Sequence, residues 1–230
     1  MSKLEVRSVT NLDGETDLEL GESGGTVTLA TGATAVGFSG GGLASVQTFT
    51  SSGTWTRPTG VTKVKVYVTG GGGSASGSTT NTHSGGGAGT VIKLIDVSSI
   101  TTATVTVGAG GAGVHYSPTQ NGNDGGDSVW SDGTNTLTGG GGSAGTAAGG
   151  ETSGLGGSAT GGDLNLTGGN ASNSAGLFAG GSFWGSGSVR RDSGGEPMAS
   201  RGAYGTGGVC KYDAQSVDAP DGVVFVEEYK

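Results

Sequence analysis

Val61-Thr62-Lys63-Val64-Lys65-Val66-Tyr67-Val68-Thr69, running straight into Gly70-Gly71-Gly72-Gly73, is the stretch that decides the fold. Side chains of an extended segment alternate between two faces, so Val64, Val66 and Val68 share one face and Lys63, Lys65 and Tyr67 the other. The first set reads as core, the second as a wet or pairing face. The glycines that follow end the apolar alternation abruptly. Outward from here the pattern recurs. Thr90 to Val97 and Thr102 to Val107 read as strands, and Phe49 to Arg57 as a strand stopped by Pro58, which cannot continue a ladder. Val129-Trp130-Ser131-Asp132-Gly133-Thr134 reads as a hairpin in which Asp132-Gly133 supplies two left-handed turn residues. Val223-Val224-Phe225-Val226 is the closing strand, expected beside the Val64 strand. No segment keeps a 3.6-residue apolar period, so the chain is expected to be mostly β with almost no helix.

Composition sets the limits. Val, Leu, Ile and Phe supply 41 of the 230 residues, and 54 are glycine. This is a thin apolar stock for a domain of this length, so stability is expected to need assembly. Residues 139 to 208 hold 25 glycines in 70 positions. Each interior glycine costs roughly 0.5–1 kcal/mol relative to alanine, so such a run must be offset by packing that only glycine permits. Triplet spacings at Gly139, Gly142 and Gly145, and at Gly202, Gly205 and Gly208, suit bundled left-handed helices of three residues per turn. No strict Gly-X-Y repeat persists, which argues against collagen.

The first 45 residues read as short strands, Leu4 to Thr10, Asp17 to Leu20 and Thr26 to Ala30, each too short to bury a face alone. They are expected to form an attachment and trimerisation arm, joined through Gly37 to Gly42 to a main domain over 46–230. Eleven Lys and Arg against nineteen Asp and Glu give a net charge of −8, without the basic stripe that nucleic-acid binding needs. The charged opening Met1 to Arg7 is unlike a signal peptide, and no long apolar run suggests membrane insertion. Cys210 is the single cysteine, so no intrachain disulfide framework is possible. Assembly in a reducing cytoplasm is expected.

Several motifs invite chemistry. Gly108-x-Gly110-x-x-Gly113 matches a dinucleotide fingerprint, but Val114 to Pro118 is a poor helix start, so no cofactor is expected. Asn121 to Asp127 spaces oxygen ligands as a calcium loop does, yet lacks its closing Glu, so no metal site is assigned. His83 and His115 are unpaired in sequence. No carboxylate pair or nucleophile motif stands out, and no enzyme activity is expected. Phe178, Phe183, Trp184, Arg190 and Arg191 stand in a region of tiny side chains. These are residue types that anchor binding surfaces, and they are the receptor-binding candidates, with a plug in the glycine bundle or a subunit interface as the other reading.

Phe49 to Gly73, with Ser52-Gly53-Thr54-Trp55 and the Val64-x-Val66-x-Val68 run into Gly70 to Gly73, resembles the glycine-rich tail-fibre and adhesin proteins of tailed bacteriophages. So do Val105 to Gly113 and Ala219-Pro220-Asp221-Gly222-Val223-Val224-Phe225-Val226. Leu18 to Ala33 looks like the N-terminal arm of phage fibre subunits. The resemblance implies a jelly-roll-like β-sandwich with polyglycine II-type helices inserted over 139–208, a homotrimer, and host recognition through variable loops. A virion location follows, with residues 1–45 docking on other virion proteins and the remainder meeting a host-surface protein or polysaccharide. A capsid decoration, cement or head-fibre protein without a dedicated receptor is the alternative.

Overall fold

The computed structural model describes residues 42–79, 82–147, 152–172, 178–189, 203–209 and 215–230. Contacts divide the chain into Met1–Gly40 and Gly41–Lys230, and every described residue belongs to the second unit. The three short strands expected in the arm, Arg190, Arg191 and Cys210 lie outside the described residues.

Ten strands form two five-stranded sheets, and no helix occurs among the described residues. The first sheet has the order β1 (Leu43–Phe49), β10 (Val223–Tyr229), β3 (Lys63–Thr69), β4 (Thr90–Asp96) and β9 (Leu164–Leu166). The second has β2 (Gly53–Thr56), β5 (Thr102–Thr106), β6 (Ser128–Ser131), β7 (Thr136–Gly139) and β8 (Ala159–Thr160). Every pairing is antiparallel. The closing strand lies beside the Val64 strand as its sequence led one to expect, with Val226 opposite Val66 and Glu228 opposite Val64.

One core joins the two sheets. Val64, Val66 and Val68, fully buried, meet Val91, Ile95, Val224 and Val226 from the first sheet and Trp55, Val105, Trp130 and Leu137 from the second. The Trp55 and Trp130 rings pack at 5.2 Å between centroids. The two indoles supply much of the volume that so few aliphatic side chains leave unfilled. Glu228 is also wholly buried. Its carboxyl oxygens accept hydrogen bonds from Ser45 Oγ and Gln47 Nε2 on β1 and from Trp55 Nε1 on β2, so a buried polar group that would be costly unpaired is met by three donors.

Two local expectations change. The Phe49 to Arg57 stretch is not one strand but two, β1 and β2 in different sheets, with Thr50 to Ser52 carrying the chain across. Phe49 packs toward the core from one sheet and Trp55 from the other, and a straight strand could not deliver both. The β6–β7 loop spans Asp132 to Asn135 rather than a two-residue turn. Gly133 takes φ +88°. The Asp132 carboxylate accepts from the backbone N–H groups of Thr134 and Asn135 at 2.9 and 2.7 Å, an Asx turn that lengthens the loop.

Candidate binding surface

The strands run on into glycine. β3 continues as 70–78, β4 is entered from 82–89, β5 continues as 108–114, β6 is entered from 121–127, β7 continues as 140–147, and β10 is entered from 215–222. These segments bond to one another through their backbones with a period of three. Gly71, Ser74 and Gly77 donate to Gly126, Asn123 and Gln120, while Gly73 and Ser76 donate to Gly86 and His83, and Gly72 donates to Pro220. Segment 70–78 accepts in turn from Gly111, from Gly142 and Gly145, and from Gly208. Among the described residues it therefore has six backbone neighbours. Segment 82–89 also has six, adding 152–158, 167–172 and 178–181 to those it shares with 70–78.

This approach requires hydrogen in place of a side chain. A Cβ on Gly72 would overlap the Thr206 carbonyl, and one on Gly86 the Leu155 carbonyl. Buried N–H groups that have no sheet to join are thereby paired with carbonyls of neighbouring segments. The glycine segments on either side of 139–208 take part as fully as those within it.

At the flanks of the array, where the described residues offer a segment no further backbone neighbour, side chains close the account of donors. Asn121, Asp124 and Asp127 accept through Oδ1 from the N–H groups of Ala147, Ala144 and Gly141, at 2.9, 2.7 and 2.9 Å. Asp218 and Asp221 do the same for Gly113 and Gly110, each at 2.7 Å. The three-residue period of the array thus sets the spacing of Asn121, Asp124 and Asp127, and they serve as a backbone-capping ladder. Among the described residues no group of three or more His, Cys, Asp or Glu is arranged to hold a metal ion. The Gly108–Gly113 motif belongs to the same array, with Gly111 donating to Gly72.

The three receptor candidates among the described residues, Phe178, Phe183 and Trp184, do not form one cluster. Residues 178–189 make a hairpin, closed by pairing of Phe178 with Val189 at its open end and of Ser182 with Gly185 at its tip. Phe178 is 51% exposed, beside the Ser172 N–H that donates to its carbonyl. Its end of the hairpin lies with the chain reversals that the array holds away from the sheets. Gly77 pairs with Gln120 and Thr146 with Thr152 there, each well beyond the last strand residue. Arg190 and Arg191 follow Val189 in sequence.

The hairpin tip goes the other way. Trp184 Nε1 donates to Thr69 Oγ1 at 2.8 Å, and its ring lies 6.1 Å from both Tyr67 and Phe225, with Phe183 edge-on at 5.1 Å. Tyr67 and Phe225 are cross-strand partners. Trp184 is therefore half-buried on the outer face of the first sheet, where β3 passes into the array. Beyond this quartet the face carries Lys65, whose ammonium sits 5.0 Å from the Tyr67 ring centroid, and Glu227, which accepts from Tyr229 Oη at 2.9 Å. The hydrogen bond with Tyr67 holds the Lys65 ammonium above its usual range, and the bond to Glu227 raises the Tyr229 phenol. Sequence reading missed the Tyr67 and Phe225 contacts, because residues 67, 184 and 225 meet only through sheet pairing and a hairpin folded back on it.

A family model of a glycine-rich domain matches residues 45–224. No curated protein sequence matches the chain.

Proposed function

Because the chain belongs to the glycine-rich domain family over residues 45–224, and on the sequence likeness to phage fibre and adhesin proteins, we propose that it is a non-enzymatic subunit of a bacteriophage particle that contributes to host-surface attachment. In this reading the two sheets form a jelly-roll-like β-sandwich that serves as a base, and the array is a polyglycine II bundle. The donor period of three and the six neighbours of segments 70–78 and 82–89 support that assignment. Residues 1–45 dock on other virion proteins, and the subunit works as a homotrimer.

One observation carries the functional reading: the array holds the Gly77–Gln120 and Thr146–Thr152 pairs and the open hairpin end at Phe178 and Val189 remote from the sheets. A rigid, backbone-bonded stalk lets loops of free sequence be presented without being part of the core. The contact is then made by Phe178, Val189 and the Arg190-Arg191 pair, with the surface protein or polysaccharide of the host as ligand. Phe183 and Trp184 fasten the hairpin to the sheet.

The test pairs adsorption to host cells with thermal melting. Phe178→Ala should cut adsorption several-fold or more with an unchanged melting temperature. Trp184→Ala should lower the melting temperature, with any adsorption loss following it. Unchanged adsorption in both Phe178→Ala and Arg190→Ala/Arg191→Ala would end the attachment reading in favour of a capsid decoration or head-fibre role.

A further inference from the structure

The two outer sheet faces differ in kind. The outward positions of the second sheet are mostly hydroxylated, with Thr54, Thr56, Thr102, Thr104 and Thr106 all exposed, Thr54 opposite Thr104, and Val129 on β6 half-buried among them. Such a face needs no cover. The outward positions of the first sheet interleave large apolar and aromatic side chains with Lys63, Lys65, Asp96 and Glu227. Leu43 and Val46 on β1, Leu94 on β4 and Leu164 on β9 are 57, 50, 54 and 49% exposed, and they share the face with Tyr67, Phe225 and Tyr229. The Phe183–Trp184 hairpin covers the part nearest the array. The remainder is an open groove of about 520 Å³ around Leu94, Tyr229 and the stems of Lys63 and Lys65.

Charge indicates what fits there. On this face each lysine of β3 stands opposite a carboxylate: Lys63 faces Asp96 on β4, and Lys65 faces Glu227 on β10. Lys63 helps hold the Asp96 carboxyl below its usual range, after the Ser98 hydrogen bonds that do most of it. With Lys230 also lining the groove, the face carries no net negative charge within a chain of net charge −8, whereas the array flanks carry Asp124, Asp127, Asp218 and Asp221. Two copies approaching through those flanks repel. Approaching through the first sheet, they bring together apolar side chains and charges already balanced. The edge strand points the same way: among the described residues only β10 pairs with β1, Leu43-Ala44-Ser45-Val46-Gln47-Thr48-Phe49 has no lysine or proline to guard its other side, and only a register irregularity at Leu43/Ser45 interrupts it.

We propose that the outer face of the first sheet, from Leu43 and Val46 on β1 to Leu94 on β4, is the surface through which copies of this chain associate. This rests on the homotrimer proposed above and names its contact: in a threefold ring the β1 side of one copy, Leu43 and Val46, meets the β4 side, Leu94, of the next. The experiment is sedimentation velocity on the full chain across a concentration series, comparing the unmodified protein with Leu94→Glu, Val46→Glu and Thr104→Glu. The unmodified chain and Thr104→Glu should sediment as one oligomer. Leu94→Glu and Val46→Glu should dissociate at least ten-fold more readily while keeping the same dichroism spectrum, because both side chains are half exposed in the single chain. Oligomers that persist in both variants overturn this surface and leave the assembly standing, and a monomeric unmodified chain overturns both. Should a variant fail to fold, concentration-dependent hydrogen-exchange protection at β1 of the unmodified chain decides: protection supports the contact, and its absence refutes it.

Discussion

At the scale of single residues, carboxylates do two jobs that differ in how exposed they are. Asp124 sits at the surface and caps one N–H at the array flank. Asp124→Ala should cost about 0.5–1.5 kcal/mol, the net worth of one hydrogen bond, while Asp124→Asn, which keeps an accepting oxygen, should be near neutral by chemical denaturation. Equal losses in the two variants would remove the capping explanation. Asp132 is more enclosed. Burial works to raise its pKa, but the N–H groups of Asn135 and Thr134, with the Trp130 indole, outweigh it and hold the carboxyl below its usual value. A group depressed in the folded state contributes stability above its unfolded pKa, which is lost as pH falls through the folded one. The melting-temperature gap between the unmodified chain and Asp132→Ala should therefore be full at pH 6 and shrink below about pH 4. A gap independent of pH would assign Asp132 no role as a charged acceptor.

At the scale of elements, glycine acts in two distinct ways, and substitution separates them. Gly133 has open space around it and needs only its positive φ, so Gly133→Ala should cost about 1 kcal/mol and leave the hairpin formed. Gly86 lies in segment 82–89, bonded on all sides, where an added Cβ runs into the Leu155 carbonyl. Backbone on one segment cannot yield without displacing its neighbours, so Gly86→Ala should cost several times more, about 3 kcal/mol or greater. Equal costs by urea titration would count against the close-packed array. The strands are less exacting. β3 and β10 were legible in sequence because Val64, Val66, Val68 and Val223, Val224, Val226 make strong apolar runs and lie fully buried. β8 and β9, of two and three residues, carried no such signal, and only their neighbours make them strands.

At the scale of the molecule, the sheets and the array are one object, since the same segments form strands at one end and glycine rods at the other. Unfolding should then be a single cooperative transition over residues 41–230, seen alike by tryptophan fluorescence from Trp55 and Trp130 in the core and by far-ultraviolet dichroism. Two separate transitions would show that the array melts independently of the sheets. The dichroism spectrum itself should lack helical minima.

Alternation in Val61 to Thr69, with the apolar run Val223 to Val226, was enough to read a mostly β protein and the buried face of its central strand, and to expect these two strands side by side; that they pair antiparallel came from the structure. The glycine content was enough to require contacts that only backbone without side chains can make. These follow from local stereochemistry, which the sequence carries directly. The triplet of Asn121, Asp124 and Asp127 was equally visible, but its meaning was not, because a period of three becomes a capping ladder only when segment 140–147 runs beside it. Tertiary structure alone decided that Glu228 is buried on Trp55, that Trp184 lies on Tyr67 and Phe225 while Phe178 lies far from it, and that one sheet presents threonine outward and the other leucine and valine. Each joins residues far apart in the chain, and the free energy that selects such contacts belongs to packing, for which no local pattern stands as a sign.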